Sequence, residues 1–253
     1  MNVFLTGASS GIGAALARRY ADEGAQLGLF ARRADALAAI AATLAPVRPA
    51  IYVGDVRDAA ALQAAASDFT ARHGAADIVI ASAGVSRGTL TEYADDNATF
   101  RATFDINVLG MLHTFQPFLP AMRAARKGRL VGIASVAGFR GLPGAGAYSA
   151  SKAAAITYLE SLRVELYGSG VEVITICPGY VATPMTAGNP YRMPFLISAD
   201  RAATLIVRAI SAGTRFYVLP WQMHWVGRLL AFLPRALFDP LFARALRKPR
   251  GEV

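Results

Sequence analysis

Short apolar runs alternate with helical patterns along almost the whole chain, and this alternation limits the fold more than any other feature. Strands are expected near Val3–Leu5, Gln26–Ala31, Ala50–Gly54, Ile78–Ser82, Leu130–Ser135, Val171–Ile176 and Phe216–Leu219. Helices are expected between them, near 12–23, 35–44, 58–72, 97–125, 149–167 and 199–212. Short, nearly all-apolar strands separated by helices imply a parallel sheet covered on both faces. The expected fold class is therefore α/β, a doubly wound seven-stranded sheet. At 253 residues the chain suits one domain spanning 1–253. Sheets of this kind bind ligands beyond the carboxyl ends of their strands.

Composition removes several classes. With 54% hydrophobic and 17% charged residues the chain is too apolar to be disordered. Cys177 is the only cysteine, so no internal disulfide framework exists and a reducing cytoplasm is expected. The opening MNVFLTGASSGIG has no basic region before its apolar run, so no signal peptide is expected. The charge-free stretch Val173–Tyr191 contains Pro178, Gly179, Pro184, Gly188 and Pro190 and cannot be a membrane-spanning helix. A net charge of +9 raises the question of nucleic acid. The basic residues are scattered, however, and no helix-turn-helix, zinc-finger or RNP pattern accompanies them, so nucleic acid is not an expected partner. His73, His113 and His224 lack metal-ligand spacing, and no metal is expected.

The first strand runs into TGASSGIG, Thr6 to Gly13, and a helix follows. Gly7, Gly11 and Gly13 permit a positive-φ turn, close backbone approach to a pyrophosphate, and tight packing of helix on strand. Free N–H groups at the helix start, with Ser9, Ser10 and Ile12 nearby, suit an anion. Two hydrolase motifs overlap these segments. Gly7-Ala8-Ser9-Ser10-Gly11 fits G-x-S-x-G, but no earlier strand exists to supply an oxyanion loop. Ser149-Ala150-Ser151-Lys152 fits S-x-x-K, but S-D-N and K-T-G are missing.

The second strand ends in Ala31-Arg32-Arg33. An acid at such a strand end receives the ribose 2′-hydroxyl of NAD, whereas arginine there accepts the 2′-phosphate of NADP. Guanidinium can grip that phosphate with paired hydrogen bonds. The cofactor expected is NADP(H), with Arg32 as the main contact and Arg33 beside it; Asp35 caps or opens the next helix.

Ser135 ends the fifth strand, and Tyr148 and Lys152 follow in AYSASK, one helical turn apart. Together with TGASSGIG, the S…YxxxK constellation resembles the short-chain dehydrogenase/reductase family over roughly the first 200 residues. The resemblance implies a Rossmann-type fold and a catalytic set of Asn107, Ser135, Tyr148 and Lys152. It also assigns cofactor contacts to Asp55 and Val56 in YVGDV, to Ser82-Ala83-Gly84, and to Pro178, Gly179, Val181 and Thr183. Ser82 departs from the family's usual asparagine. The resemblance also implies a homodimer or homotetramer, paired through the helices near 97–125 and 149–167.

In this reading Tyr148 passes a proton to the developing alkoxide. A free tyrosine titrates near 10, and lowering it to about 7 takes about 4 kcal/mol. A neighbouring cation supplies about 1–3 pKa units, so Lys152 needs help from the positive ring of the oxidised cofactor. The resemblance gives Lys152 a hold on the nicotinamide ribose, Ser135 a hydrogen bond to the substrate oxygen, and Asn107 a water linking Lys152 to solvent.

Residues 184–198 form an expected substrate loop made apolar by Met185, Tyr191, Met193, Phe195 and Leu196. Either they cover the substrate, which favours an apolar carbonyl or alcohol, or the loop packs on its own domain. The tail at 221–247, rich in Trp, Phe, Leu and Arg, has two readings. It is either a pair of amphipathic helices on a membrane surface, with Trp221, Trp225 and Phe232 towards the lipid and the arginines towards its phosphates, or a segment packed over the cleft or an interface. The resulting expectation is an NADPH-dependent carbonyl reductase, or alcohol dehydrogenase in reverse. Its rival is an NADP-binding sensor or scaffold without turnover, for which a proton donor would be superfluous.

Overall fold

A computed structural model describes residues 1–251. Its strands are β1 (Asn2–Thr6), β2 (Gln26–Ala31), β3 (Ala50–Val53), β4 (Ile78–Ala81), β5 (Gly128–Ile133), β6 (Val171–Pro178), β7 (Val181–Ala182), β8 (Ile197–Ser198) and β9 (Phe216–Leu219). The helices are α1 (Gly11–Asp22), α2 (Ala34–Ala42), α3 (Ala59–His73), α4 (Asp96–Phe104), α5 (Gly110–Phe115), α6 (Leu119–Ala125), α7 (Gly146–Glu165), α8 (Ala199–Ser211), α9 (Trp221–Phe232) and α10 (Arg235–Phe242).

Seven strands form one parallel sheet in the order β3-β2-β1-β4-β5-β6-β9, and β7 and β8 make a separate small pair. The strand order reverses direction between β1 and β4, and a crevice opens beyond the strand ends at such a reversal. Both sheet faces are buried. Val3 and Leu5 pack with α1 and α8 residues such as Leu16, Ile206 and Ile210. Phe4, between them, faces the opposite way into a cluster with Phe30, Phe69 and Phe118. A strand buried on both faces has no polar side, which explains the continuous apolar runs.

Three expected strands end earlier than the sequence suggested. Gly54, Ser82, Ala134 and Ser135 lie just past their strands, where the chain leaves the ladder to line the crevice. The single helix expected over 97–125 is a broken one. A π turn over Asp105–Leu109 joins α4 to α5, and the chain breaks again before α6. Pro117 and Pro120 lack the N–H that a continuous helix needs, and π turns are common at functional sites. Among the described residues, no helix is long and apolar enough to cross a membrane, and no cluster of His, Cys, Asp or Glu could hold a metal.

Candidate active site

The β1–α1 turn carries two glycines in the left-handed region, Gly7 at φ 70° and Gly11 at φ 56°. Space excludes side chains there as well. A Cβ on Gly7 would lie 2.7 Å from the Ala83 nitrogen, and one on Gly11 would lie 3.1 Å from Thr183 Cγ2. Gly13 packs directly against the Gly7 carbonyl. Ser10 caps α1 without a side-chain hydrogen bond, and the first turn contains no acid. The positive end of the helix therefore faces the crevice unneutralised.

Beyond that turn, Arg33 donates from Nη2 to Ser9 Oγ at 3.3 Å, holding its guanidinium above the glycine loop. Arg32 lies 3.7 Å from Asp55, and Arg57 bonds Asp55 at 2.7 Å. Burial works against a charged Asp55. The hydrogen bonds and charge of Arg57, aided by Arg32, more than offset it and hold the carboxyl below its usual range.

At the other end, β4 delivers Ser82-Ala83-Gly84-Val85. Asn107, in the π turn, clamps this segment from behind. Its Oδ1 accepts from Val85 N at 2.8 Å, and its Nδ2 donates to Val85 O at 3.0 Å and to Ser151 Oγ at 2.9 Å. Ser151 in turn donates to Tyr148 O at 2.8 Å. Asn107 thus ties the β4 loop to the helix that carries Tyr148 and Lys152.

Ser135 follows β5 and caps a short 3₁₀ turn, its Oγ accepting from Ala137 N at 3.1 Å. Tyr148 and Lys152 sit one turn apart in α7, with Lys152 Nζ 5.8 Å from the Tyr148 ring centre. Lys152 is buried and donates to the Ile133 carbonyl at 2.8 Å. Burial pulls its ammonium down to about 8. The Tyr148 phenol moves the other way, pushed above its ordinary value by burial and only partly drawn back by the Ser135 hydroxyl. In the protein alone, then, burial outweighs the help that the phenolate receives from its surroundings. The buried Cys177 thiol lies beside this pair and is pushed up to about 12 by burial.

These residues line one cleft of about 410 Å³. It runs from Arg32, Arg33 and Asp55 past the glycine loop to Ser135, Tyr148, Lys152, Gly179 and Thr183. Its length and its side-chain-free floor fit an extended dinucleotide whose pyrophosphate crosses the glycine turn. Of the residues singled out from sequence, Thr6 and Asn107 lie behind the cleft wall. Both are buried, and Thr6 Oγ1 bonds Ile80 O at 3.4 Å.

The family model described as short chain dehydrogenase matches residues 1–192. The chain belongs to that family. An "uncharacterized oxidoreductase" of Myxococcus xanthus (strain DK1622) is 40% identical over 245 residues, covering 96% of each chain. A short-chain dehydrogenase/reductase of Burkholderia phymatum, solved with NAD, superposes with TM-score 0.82 at 26% identity, covering 100% of this chain and 97% of that one. A short-chain dehydrogenase of Burkholderia cenocepacia J2315, solved with NADP, also gives TM-score 0.82 at 26% identity, with 95% and 96% covered. This short-chain dehydrogenase is an oxidoreductase of the alcohol and carbonyl class, and its family binds nicotinamide cofactors.

Around the open side of the cleft, the dehydrogenase carries the loop that follows β7. Met185 lines the cleft, while Phe195 and Leu196 are exposed. Tyr191 stands 6.3 Å from Tyr180, ring centre to ring centre. Its phenol is pushed up to about 12, first by burial and then by the Tyr180 and Tyr148 phenols.

The end of the tail straps the same rim. Lys248 Nζ donates to Ser86 Oγ at 2.9 Å and to Met185 O at 3.4 Å. Arg250 makes three bonds to Asp96 at 2.9–3.1 Å and stacks 3.7 Å over the Tyr93 ring. Sequence reasoning missed Ile133, Val85, Ser151 and this strap. Ile133 and Val85 act through backbone atoms, which residue type does not disclose.

Proposed function

We propose that the chain is an NADP(H)-dependent carbonyl reductase, working as an alcohol dehydrogenase in the reverse direction, on an apolar substrate. The observation that carries this reading is the pairing, in one cleft, of an arginine-lined end with a Ser135–Tyr148–Lys152 end. A bound NADPH would supply the hydride. Arg32 and Arg33 suit its 2′-phosphate, since no acid occupies the end of β2 to repel that group. The glycine turn suits the pyrophosphate, Asp55 and Val56 the adenine, and Lys152 the nicotinamide ribose.

Tyr148 holds at its hydroxyl the proton that the substrate oxygen needs, and Ser135 donates a hydrogen bond to that same oxygen. Burial favours the neutral phenol, so Tyr148 keeps its proton until negative charge develops on the substrate. Lys152 stabilises the phenolate left behind, provided its own proton is retained. Asn107 is a positioning residue, fixing Val85 and α7 relative to each other. The apolar loop around Met185 and Leu196 supports a hydrophobic ketone, aldehyde or alcohol. Exposed Phe100 and Leu109 near α4, with Val164 and Tyr167 at the end of α7, support pairing of subunits through these helices.

The test is oxidation of NADPH, with NADH in parallel, against carbonyl compounds graded in apolar size. Tyr148→Phe is run beside the wild type. Turnover that rises with apolar size, prefers NADPH and vanishes in Tyr148→Phe is expected. Turnover retained by Tyr148→Phe overturns the acid assignment. NADPH binding without any turnover would favour the sensor reading instead.

A further inference from the structure

Helix α9 is amphipathic in an unusual sense, because its outward face is the apolar one. Trp221, Trp225, Leu229 and Phe232 are 69%, 62%, 67% and 82% exposed. Their spacing of four, four and three residues keeps them within about 80° of one another on the helix. The opposite face, with Met223 and Gly227, is buried. Leu237 and Leu241 repeat the pattern on α10, and Leu246 follows, all exposed. Soluble monomers rarely leave so many large apolar side chains together in water.

The polar residues around this stripe identify its partner. Arg228, Arg235, Arg244 and Arg247 are all exposed, and among described residues 221–251 the only acid is Asp239. An apolar ridge set among cations is repelled by a second copy of itself, since a two-fold contact would bring the same arginines face to face. It is complementary to a surface that is apolar within and anionic at its rim. Tryptophan favours that boundary, with its ring in the acyl region and its N–H among the headgroups.

From these observations we infer that the outer face of α9, with α10 beside it, docks this enzyme onto an anionic phospholipid bilayer. The helix lies in the interface and does not span it, as its twelve residues require. The placement bears on the cleft. On its inner side, Met223 packs over Gly179, where a Cβ would come within 2.5 Å of Met223 Cγ. Gly227 packs against Phe139, four residues beyond Ser135. Arg140 completes the join, bonding Ala231 O at 3.3 Å and lying 4.4 Å over the Phe238 ring. The docking face is therefore about one helix diameter, roughly 10–12 Å, from segments that border the cleft. An apolar substrate dissolved in the bilayer would have a short path to it. The docking itself does not depend on the proposed reaction.

The chain carries its own reporter, because its two tryptophans, Trp221 and Trp225, both lie on this face. The full chain is titrated with vesicles of phosphatidylglycerol and phosphatidylcholine in equal parts, or of phosphatidylcholine alone. Tryptophan emission and co-sedimentation are both read. With the anionic vesicles, a saturable blue shift is expected that brominated lipid quenches and high salt weakens. Affinity should be at least tenfold lower for phosphatidylcholine alone. The double variant Leu229→Glu/Phe232→Glu keeps both reporters and should lose at least tenfold in vesicle affinity. Circular dichroism and a cooperative urea transition verify its fold. Should it not fold, the single surface variant Arg228→Glu replaces it, with severalfold weaker binding expected to anionic vesicles only. No shift, equal binding to both vesicle types, or unaltered binding by the folded variant each overturns the proposal. So does a blue shift that grows with protein concentration alone and resists brominated lipid, which would make the occupant a second copy.

Discussion

Lys152→Met separates the charge of Lys152 from its bulk. Lys152 is 5% exposed and its ammonium lies 5.8 Å from the centre of the Tyr148 ring. At an effective dielectric of about 20, unit charges at that distance interact by about 3 kcal/mol. If the reduction transition state carries a nearly complete phenolate, removing the cation slows it by about 100-fold. Half-complete proton transfer gives about tenfold. The assay is reductase turnover at pH 7 and saturating NADPH, with cofactor affinity titrated separately to set aside any loss of ribose binding. The pH profile adds a second readout. Burial holds Lys152 down at about 8, so it is charged below that pH and discharges as pH rises through it. Wild-type turnover should therefore fall above about pH 8, whereas the variant, lacking the group, should show no such fall. A variant within threefold of wild type at pH 7, or one that keeps the alkaline fall, refutes the assignment of Lys152 as the source of the field.

Arg32→Ala combined with Arg33→Ala should weaken NADPH binding at least tenfold and leave NADH binding within about twofold, read by cofactor fluorescence; equal losses would show that neither side chain meets a 2′-phosphate. Gly7→Ala forces a side chain into φ 70° and to 2.7 Å from the Ala83 nitrogen. It should cost about 1–3 kcal/mol in urea unfolding and abolish NADPH binding, and wild-type behaviour in both would contradict the cradle. Arg250→Ala removes three bonds to Asp96 and the contact with Tyr93. Proteolysis of the tail should accelerate severalfold and KM for the carbonyl substrate should rise more than kcat falls; unchanged cleavage and KM would mean that the strap does not order the rim.

Much of this architecture is visible in the residues themselves, for identifiable reasons. Val3–Leu5 in β1 and Ile78–Ala81 in β4 are continuous apolar runs because both sheet faces are covered, so even a reading without pairing information finds them. Gly7 and Gly11 announce themselves because only glycine suits a positive φ in a crowded turn. Tyr148 and Lys152 fall one turn apart, a spacing that any helix converts into proximity. The failures have equally definite causes. The helix expected over 97–125 keeps an apolar period through the π turn, since one extra residue shifts the register without erasing it. The prolines at 117 and 120 were the available signal for the later break. The sequence assigns activation of Tyr148 to Lys152 and the oxidised cofactor together; in the protein alone burial pushes the phenol up and the ammonium down, an effect that residue type does not disclose.

The tail is the harder case, and it shows what local pattern cannot encode. Its helices and a face carrying Trp221, Trp225 and Phe232 are legible in the spacing, but spacing alone does not say whether that face turns outward or packs on the domain. That depends on Gly179, Phe139 and Arg140, far away in sequence, which take up Met223, Gly227 and the Ala231 carbonyl. The strap likewise closes through Arg250 and Asp96, 154 residues apart, and Lys248 and Ser86, 162 apart. The tail has two sequence readings, membrane surface or packing over the cleft, and they are compatible: the side of α9 for which we propose docking is opposite the side that packs on Gly179. The inner side of α9 and the strap at Lys248–Arg250 pack around the cleft. The outer side of α9 is left free for another surface. A helix two residues out of phase would have put Trp225 at the inner position that Gly227 holds. The apolar stripe therefore stays outside because Gly227 occupies the inner position against Phe139 and Val136, where a Cβ would come within 2.5 Å of Phe139.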